Sequence, residues 1–296
     1  MDERSDPTTA FVAHRNLLFT VAYEMLGSVV DAEDVLQETW LRWMKVDLSQ
    51  VRDQRAYLVR ITTRRSLDRL RTMSRRKEAY VGPWLPEPLL TAPDVAEDVE
   101  LAESVSMALM LVLETLSPTE RAVFVLREAF DVGYDEIAAA VGKSPAAVRQ
   151  ISHRARQHVE ARRPREVVSP TEARAALESF RHAVETRDLQ GLLDVLAPEV
   201  VLISDGGGVK QAALRPITGA EKAVRFIVGG IGKAQVALTT ETTVVNGNPA
   251  LVLCVDGEID GVLAIRVEDA RISGLYYVRN PLKLTRIASE TSLTLR

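Results

Sequence analysis

Apolar residues recur at helical spacing through the first 77 positions. Phe11, Leu18, Val21, Ala22 and Met25 predict an amphipathic helix over 11–27, closed by Gly27. Asp31 is expected to cap a second helix, DAEDVLQETWLRWMK, with Glu33 and Asp34 in its positive first turn. Val35, Leu36, Trp40 and Trp43 form that helix's apolar side. A third runs from about Arg55 to Arg76 with Leu58, Ile61, Leu67 and Leu70 inward. Farther on, a Leu-, Met- and Val-rich stretch predicts one helix over 95–115. Ser117-Pro118, Ser144-Pro145 and Ser169-Pro170 mark three more helix starts, each a serine cap with proline at the first helical position. Glu120 and Glu172 turn two of them into capping boxes.

After about residue 165 the period changes. Two helices (about 170–186 and 188–196) precede VVLISDGGG, a strand running into a glycine turn, and another helix covers about 220–229. From Gln235 onward, Val/Thr/Ile runs are broken at Asn246-Gly247-Asn248, Asp256-Gly257, Asp260-Gly261 and Glu268-Asp269-Ala270. That pattern predicts an antiparallel meander of about four strands. The fold class is therefore multidomain, with all-α parts followed by an α+β domain.

Between the first and second helical parts lies YVGPWLPEPLL, residues 80–90. Pro83, Pro86 and Pro88 forbid a helix and favour an extended path. Trp84, Leu85, Leu89 and Leu90 make it too apolar for a solvated spacer. Either the segment docks on something, or its tryptophan covers neighbouring helices.

Charge sharpens the picture. The net charge is only −4, but Arg52 to Lys77 holds ten bases against two acids, and Glu78 to Glu120 holds nine acids and no base. Positions 143–165 turn basic again. Two basic blocks around an acidic tether suit two contacts with a polyanion, although a solvated face has the same look. The single cysteine, Cys254, excludes an internal disulfide and fits a reducing compartment. The first residues read as neither signal nor transit peptide, and the apolar run 105–113 is too short to span a bilayer. A cytoplasmic protein without membrane contact is expected.

The stretch YDEIAAAVGKSPAAVRQISHRARQHV, residues 134–159, predicts a helix-turn-helix. Ile137, Ala138 and Val141 face inward, Gly142 turns the chain, and Val148, Ile151, Ala155 and Val159 form the buried stripe of the second helix. Ala146, Arg149, Gln150, His153, Arg154 and Arg156 remain outside. Arg149 and Gln150 have the chemistry to read guanine and adenine edges, and Arg154 and Arg156 to hold phosphates. A helical hairpin packed inside a bundle is the alternative, but it has no use for a basic outer face. On the third helix Arg60, Arg64, Arg71 and Arg75 share one face beside Tyr57, Thr62 and Thr63, groups suited to unstacked bases.

Together these segments resemble a bacterial RNA polymerase sigma factor of the extracytoplasmic-function (ECF) type. DAEDVLQETWLRW is similar to the helix by which such factors bind core polymerase, which implies a contact through Asp34, Gln37, Glu38, Trp40 and Leu41. RAYLVRITTRRSLDRLR resembles the segment that captures the melted −10 element, implying roles for Tyr57, Arg60, Thr63, Arg64 and Arg71. Arg64 stands where many such factors carry asparagine. LSPTERAVFVLREAFDVGYDEIAAAVGKSPAAVRQISHRARQHV resembles region 4, which reads the duplex −35 element. The tether's WLPEP, the DGGG turn and Asn280-Pro281 match the subgroup called ECF group 41, with a fused SnoaL-like, cone-shaped barrel. Lys210 follows Val209 and Leu282 follows Pro281, two departures from that subgroup's pattern.

The implied organisation is a region 2 domain at 8–77, a linker at 78–103, region 4 at 104–162, a linker at 163–168 and a SnoaL-like domain at 169–296. The implied partners are core polymerase and promoter DNA. The barrel is expected to regulate the sigma domains in cis through Trp84, Leu85, Pro86, Asp205, Gly206, Gly207, Gly208, Lys210, Asn280 and Pro281. An unidentified small ligand in the cone is a further candidate. No cofactor, metal or catalytic residue is expected. Two other readings are a ligand-sensing helix-turn-helix regulator and a SnoaL-like isomerase or cyclase fused to a DNA-binding module. Asp205, Asp256, Glu258 and Asp260 would be the latter's candidate acids, each expected at a turn.

Overall fold

The computed structural model describes residues 6–91, 99–162, 168–233, 238–287 and 293. The 92–98 and 163–167 parts of the expected linkers fall outside them, as do the side chains of Arg75, Arg76 and Lys77. In chain order the helices are α1 (Pro7–Leu26), α2 (Val29–Trp43), α3 (Gln54–Glu78), α4 (Val99–Ser104), α5 (Met107–Leu113), α6 (Pro118–Phe124), α7 (Tyr134–Val141), α8 (Pro145–Glu160), α9 (Pro170–Thr186) and α10 (Leu189–Val195). Then follow β1 (Leu196–Asp205), β2 (Ile217–Thr218), α11 (Ala220–Lys233), β3 (Leu238–Val245), β4 (Asn248–Val255), β5 (Glu258–Glu268) and β6 (Arg271–Val278). Among the described residues no helix is long and apolar enough to cross a membrane.

Two compact units emerge, one built from Met1–Glu78 with Leu109–Arg163, the other from Ala79–Ala108 with Pro164–Thr291. The expected linker thus belongs with the α+β body. The single helix expected over 95–115 is two, α4 and α5, interrupted at Val105 and Ser106.

In the first unit α1, α2 and α3 form a bundle. Asp6 accepts from the backbone N–H groups of Thr8 and Thr9 to start α1, and Gly27 ends it in the left-handed region at φ 67°. Ser28, not Asp31, caps α2, its hydroxyl accepting from the Asp31 amide at 3.2 Å. Asp31 lies instead in the first turn, where it pairs with Arg69 at 2.6 Å. Leu58, Ile61, Leu67 and Leu70 are buried as the periodicity requires. Trp43 is fully buried and donates its indole N–H to the Pro7 carbonyl at 2.7 Å. A complete capping box from Ser117 and Glu120 opens α6, and Gly142, at φ 69°, turns α7 into α8.

In the second unit the sheet runs β2-β1-β6-β5-β4-β3. β3 to β6 form the expected meander, and β1 joins β6 in parallel, pairing Asp205 with Val278. Phe180, Leu192, Val200, Leu251, Ile272 and Leu275 are core residues between the helices and this sheet. Tight turns close the hairpins at Asn246-Gly247, Asp256-Gly257 and Asp269-Ala270, all with positive φ. Asp260-Gly261 is not a turn. Both residues lie within β5, because the Asp256-Gly257 turn has already reversed the chain and a bulge after Leu253 absorbs the register.

Candidate nucleic-acid interface and tether clamp

The helix-turn-helix separates its faces cleanly. Val148, Ile151, Ala155 and Val159 are buried, and Ala146, Arg149, Gln150, His153, Arg154 and Arg156 are exposed. Ser152 is buried as well, and on α7 Ala140 is buried while Val141 is only half-buried. All three outer arginines have local partners, Arg154 lying 4.0 Å from the Glu120 carboxylate. Arg149 lies 5.6 Å from the centre of the Tyr134 ring, and Arg156 pairs with Glu128 at 2.7 Å.

The α3 candidates are less uniform. Arg60 stacks 4.6 Å above the half-buried Tyr57 ring, which packs against Trp43. Arg71 is exposed and pairs with Asp68. Thr63 is fully buried and its hydroxyl has no hydrogen-bond partner, so it faces the bundle and not a base. The position falls on one stripe with Leu67 and Leu70, where small polar residues are hard to tell from surface ones by periodicity alone. Arg64 extends to α7, donating from Nη2 to the Ala139 carbonyl at 2.6 Å and from Nε to the Ala140 carbonyl at 3.3 Å. Those carbonyls sit at the C-terminus of α7, the negative end of its dipole. Deeper in the same unit the buried Arg121 ion-pairs with Glu114 and donates twice to the Glu24 carbonyl, at 2.7 and 2.9 Å.

On α2, Gln37, Glu38 and Leu41 are exposed, with Leu41 at 57%. Trp40 is half-buried against Phe11, and Asp34 is held by Arg69. Glu38 and Leu41 line a cleft of about 750 Å³ that also contains Tyr57 and Arg65.

The tether is gripped at two places in the second unit. At the first, the Asp205 carboxylate, fully buried at the end of β1, accepts from the Tyr80 hydroxyl at 2.6 Å and from the Leu85 amide at 2.9 Å. The Lys283 ammonium lies 2.7 Å from the same carboxylate, donates to the Leu85 carbonyl, and sits 4.1 Å from the centre of the Trp84 ring. Asn280 donates to the Tyr80 oxygen at 2.8 Å. Burial, reinforced by the hydrogen bond to Asp205, pushes the Tyr80 phenol well above its ordinary value, so it remains a donor.

The glycines explain how the grip is so close. A Cβ on Gly206 would lie 2.0 Å from the Lys210 carbonyl oxygen, and one on Gly207 would lie 2.4 Å from the Asn280 side chain. Val81 packs over Gly208. Pro281 is exposed and opens the short turn that carries Lys283.

At the second place, Leu89 exchanges hydrogen bonds with Asn246: its amide donates to Oδ1 at 3.0 Å, and its carbonyl accepts from the Asn246 amide at 2.9 Å. Thr91 donates to the Val244 carbonyl, and Leu90 bridges Val245, so the tether extends the sheet beyond edge strand β3. Asn246 also donates to the Val105 carbonyl at 2.8 Å, fixing the break between α4 and α5. Leu85 and Leu89 are 0% and 1% exposed. Burying each contributes on the order of 1.5–3 kcal/mol.

Lys210 departs from its expected place. Its ammonium lies on Asp260 at 3.0 Å and not on the tether. Asp260 also accepts from Tyr277 at 2.6 Å and from Arg279 at 2.9 Å through both oxygens. Burial works against its ionisation, but hydrogen bonds from Arg279, Tyr277 and Lys210 outweigh it and bring its pKa to about 2. Tyr80, Asn246 and Lys283 had no signal in the sequence beyond turn or tether composition, because their partners lie 78 to 200 positions away.

These features agree with what the chain is similar to. The family described as Sigma-70 region 2 matches residues 10–76, and Sigma-70, region 4 matches residues 106–159. The chain is 36% identical over 288 residues to the ECF RNA polymerase sigma factor SigJ of Mycobacterium tuberculosis, covering 93% of this chain and 92% of the relative. It is 30% identical over 293 residues to the probable ECF RNA polymerase sigma factor SigI of the same organism, covering 98% and 99%. The crystal structure of M. tuberculosis SigJ superposes with a TM-score of 0.75 at 34% identity, covering 94% of this chain and 98% of that one. With both sigma regions matched and these relatives covered almost from end to end, the chain belongs to the extracytoplasmic-function RNA polymerase sigma factors.

Proposed function

We propose that this sigma factor joins core polymerase through the α2 face around Gln37, Glu38 and Leu41, captures the melted −10 strand on α3, and reads the −35 duplex with α8. The observation that carries the reading is the two-faced α8, whose basic and amide side chains are all exposed over a stripe of buried aliphatics. A promoter-specificity subunit of this kind binds, in the cytoplasm, while polymerase performs the chemistry. The locked, ionised Asp260 has little capacity as a general base near neutral pH, which disfavours the isomerase reading.

The arrangement in the first unit is a closed one. The −10 and −35 elements are about 25 base pairs apart by name, on the order of 80 Å of duplex. Arg64 on α3 cannot hydrogen-bond Ala139 on α7 while each region sits on its own element. Opening requires a free connection. The roughly thirty residues of Ala79–Ala108 would reach on the order of 100 Å if extended, but here they are clamped by Asp205, Lys283 and Asn246. The clamp therefore acts as a regulator in cis, and releasing it favours the promoter-bound form.

Run-off transcription with purified core polymerase tests both claims. The full-length protein is expected to direct initiation from its promoter, and a clamp variant, Lys283→Ala, to direct more. A protein that never associates with core and binds operator DNA tightly alone contradicts the sigma reading. Activity of Lys283→Ala equal to or below that of the parent contradicts the clamp as an inhibitor.

A further inference from the structure

The second unit encloses a cavity of about 600 Å³ between its helices and the curved sheet. That is the size of a pocket for an organic molecule of drug-like dimensions. Its walls are apolar, with Phe180, Phe226, Leu251 and Leu253 among them, and its polar groups include Asp260, Tyr277, Arg279 and Arg225. Arg279 and, from outside the lining, Lys210 both pair with the Asp260 carboxylate, and Arg225 is a further cation of the lining. The polar end carries a surplus of positive charge inside an apolar chamber.

The same end is continuous with the tether clamp. Arg279 lines the cavity with its side chain while its amide donates to the Asp205 carbonyl at 2.7 Å. The next residue, Asn280, holds Tyr80. Lys210, on Asp260, closes the glycine turn by donating its backbone N–H to the Gly206 carbonyl at 3.0 Å. A head group that draws Arg279 away from Asp260 acts on the residues that position Asp205.

We propose that the cone is a binding site for an apolar organic anion, whose tail fills the Phe180–Phe226–Leu253 chamber, whose head meets Arg225 and Arg279, and whose occupancy is coupled to the tether clamp. Binding stands independently of the transcriptional reading. The coupling rests on it.

Titration of the full-length protein with two fluorescent probes tests this. One is 1-anilinonaphthalene-8-sulfonate, an apolar anion, and the other N-phenyl-1-naphthylamine, the same skeleton without the charge. The expected result is one saturable site that binds the sulfonate several-fold more tightly than the amine. Leu253→Trp, with a cooperative thermal transition retained, is expected to weaken both probes at least tenfold by filling the chamber. Arg225→Gln, at an exposed position, should reduce only the sulfonate's advantage. Asp205→Asn should shift sulfonate affinity several-fold, because coupling is reciprocal. Absence of a saturable site, or undiminished binding by Leu253→Trp, overturns the site. Equal affinity for the two probes overturns the anion assignment. An unchanged affinity in Asp205→Asn overturns the coupling alone.

Discussion

The Lys283 ammonium sits 2.7 Å from the Asp205 carboxylate, with side-chain exposures of 11% and 0%. The pair is closed off by the tether, which supplies the Leu85 amide and carbonyl and the Tyr80 hydroxyl, while the Gly207 amide donates to the carboxylate at 3.0 Å. A buried ion pair is tolerated when every lone pair and proton is satisfied. Here the tether completes that satisfaction, so the charge pair depends on the docked segment as much as the segment depends on it.

Removing one partner should therefore be costly. Asp205→Ala leaves Lys283 buried without its counter-ion, and a loss of about 3–5 kcal/mol is expected in chemical denaturation followed by signals from the α+β unit. Tyr80→Phe, which deletes only the hydroxyl between Asp205 and Asn280, should cost about 1–2 kcal/mol. Equal losses for the two variants would contradict the central place of the carboxylate.

Thr63→Val removes a buried hydroxyl that has no hydrogen-bond partner, without changing the side chain's shape. It should stabilise the first unit by up to about 1 kcal/mol and leave binding of −10 single strands unchanged. Weakened strand binding with unaltered stability would return Thr63 to the DNA face.

Arg64→Ala should loosen the closed arrangement by about 0.5–1 kcal/mol, since the guanidinium is exposed although its bonds are charge-assisted. Energy transfer between dyes at Thr72→Cys and Glu136→Cys, in a Cys254→Ser background, should show a several-fold smaller ratio of closed to open forms. No change in transfer would mean that Arg121 and the apolar contacts hold the closure unaided.

On α8, Arg149 and Arg154 should fail differently. Arg149→Ala is expected to cost about 1–3 kcal/mol on the preferred −35 sequence and to relax discrimination at one base. Arg154→Ala should weaken all duplexes alike and lower the salt slope by about one. Holoenzyme binding to wild-type and point-mutated −35 duplexes at several salt concentrations separates them.

The Asp260 cluster sets a pH dependence. Its folded-state pKa, about 2, lies below the ordinary 3.8, so its contribution is fully present above about pH 4 and is lost as pH falls toward 2. Thermal melting of the wild-type protein should fall across that window more steeply than that of Asp260→Asn. Parallel curves would show that the ion pairs with Lys210 and Arg279 add nothing to folding.

Local chemistry was legible along the chain. Serine-proline starts at 117, 144 and 169 produced the helices they announce, and the buried stripe of α8 followed from spacings of three and four. These are interactions among residues a turn or two apart, which a linear pattern records. Even there, capping passed from Asp31 to Ser28, because either side chain suits the role and the start of the helix decides. The apolar tether implied docking but not its address. Only the tertiary structure brought Tyr80 to Asp205, Leu85 to Lys283 and Leu89 to Asn246, and placed Lys210 on Asp260 instead. Those pairings join positions 50 to 198 apart, where sheet register and chain closure, and not local spacing, choose the partner.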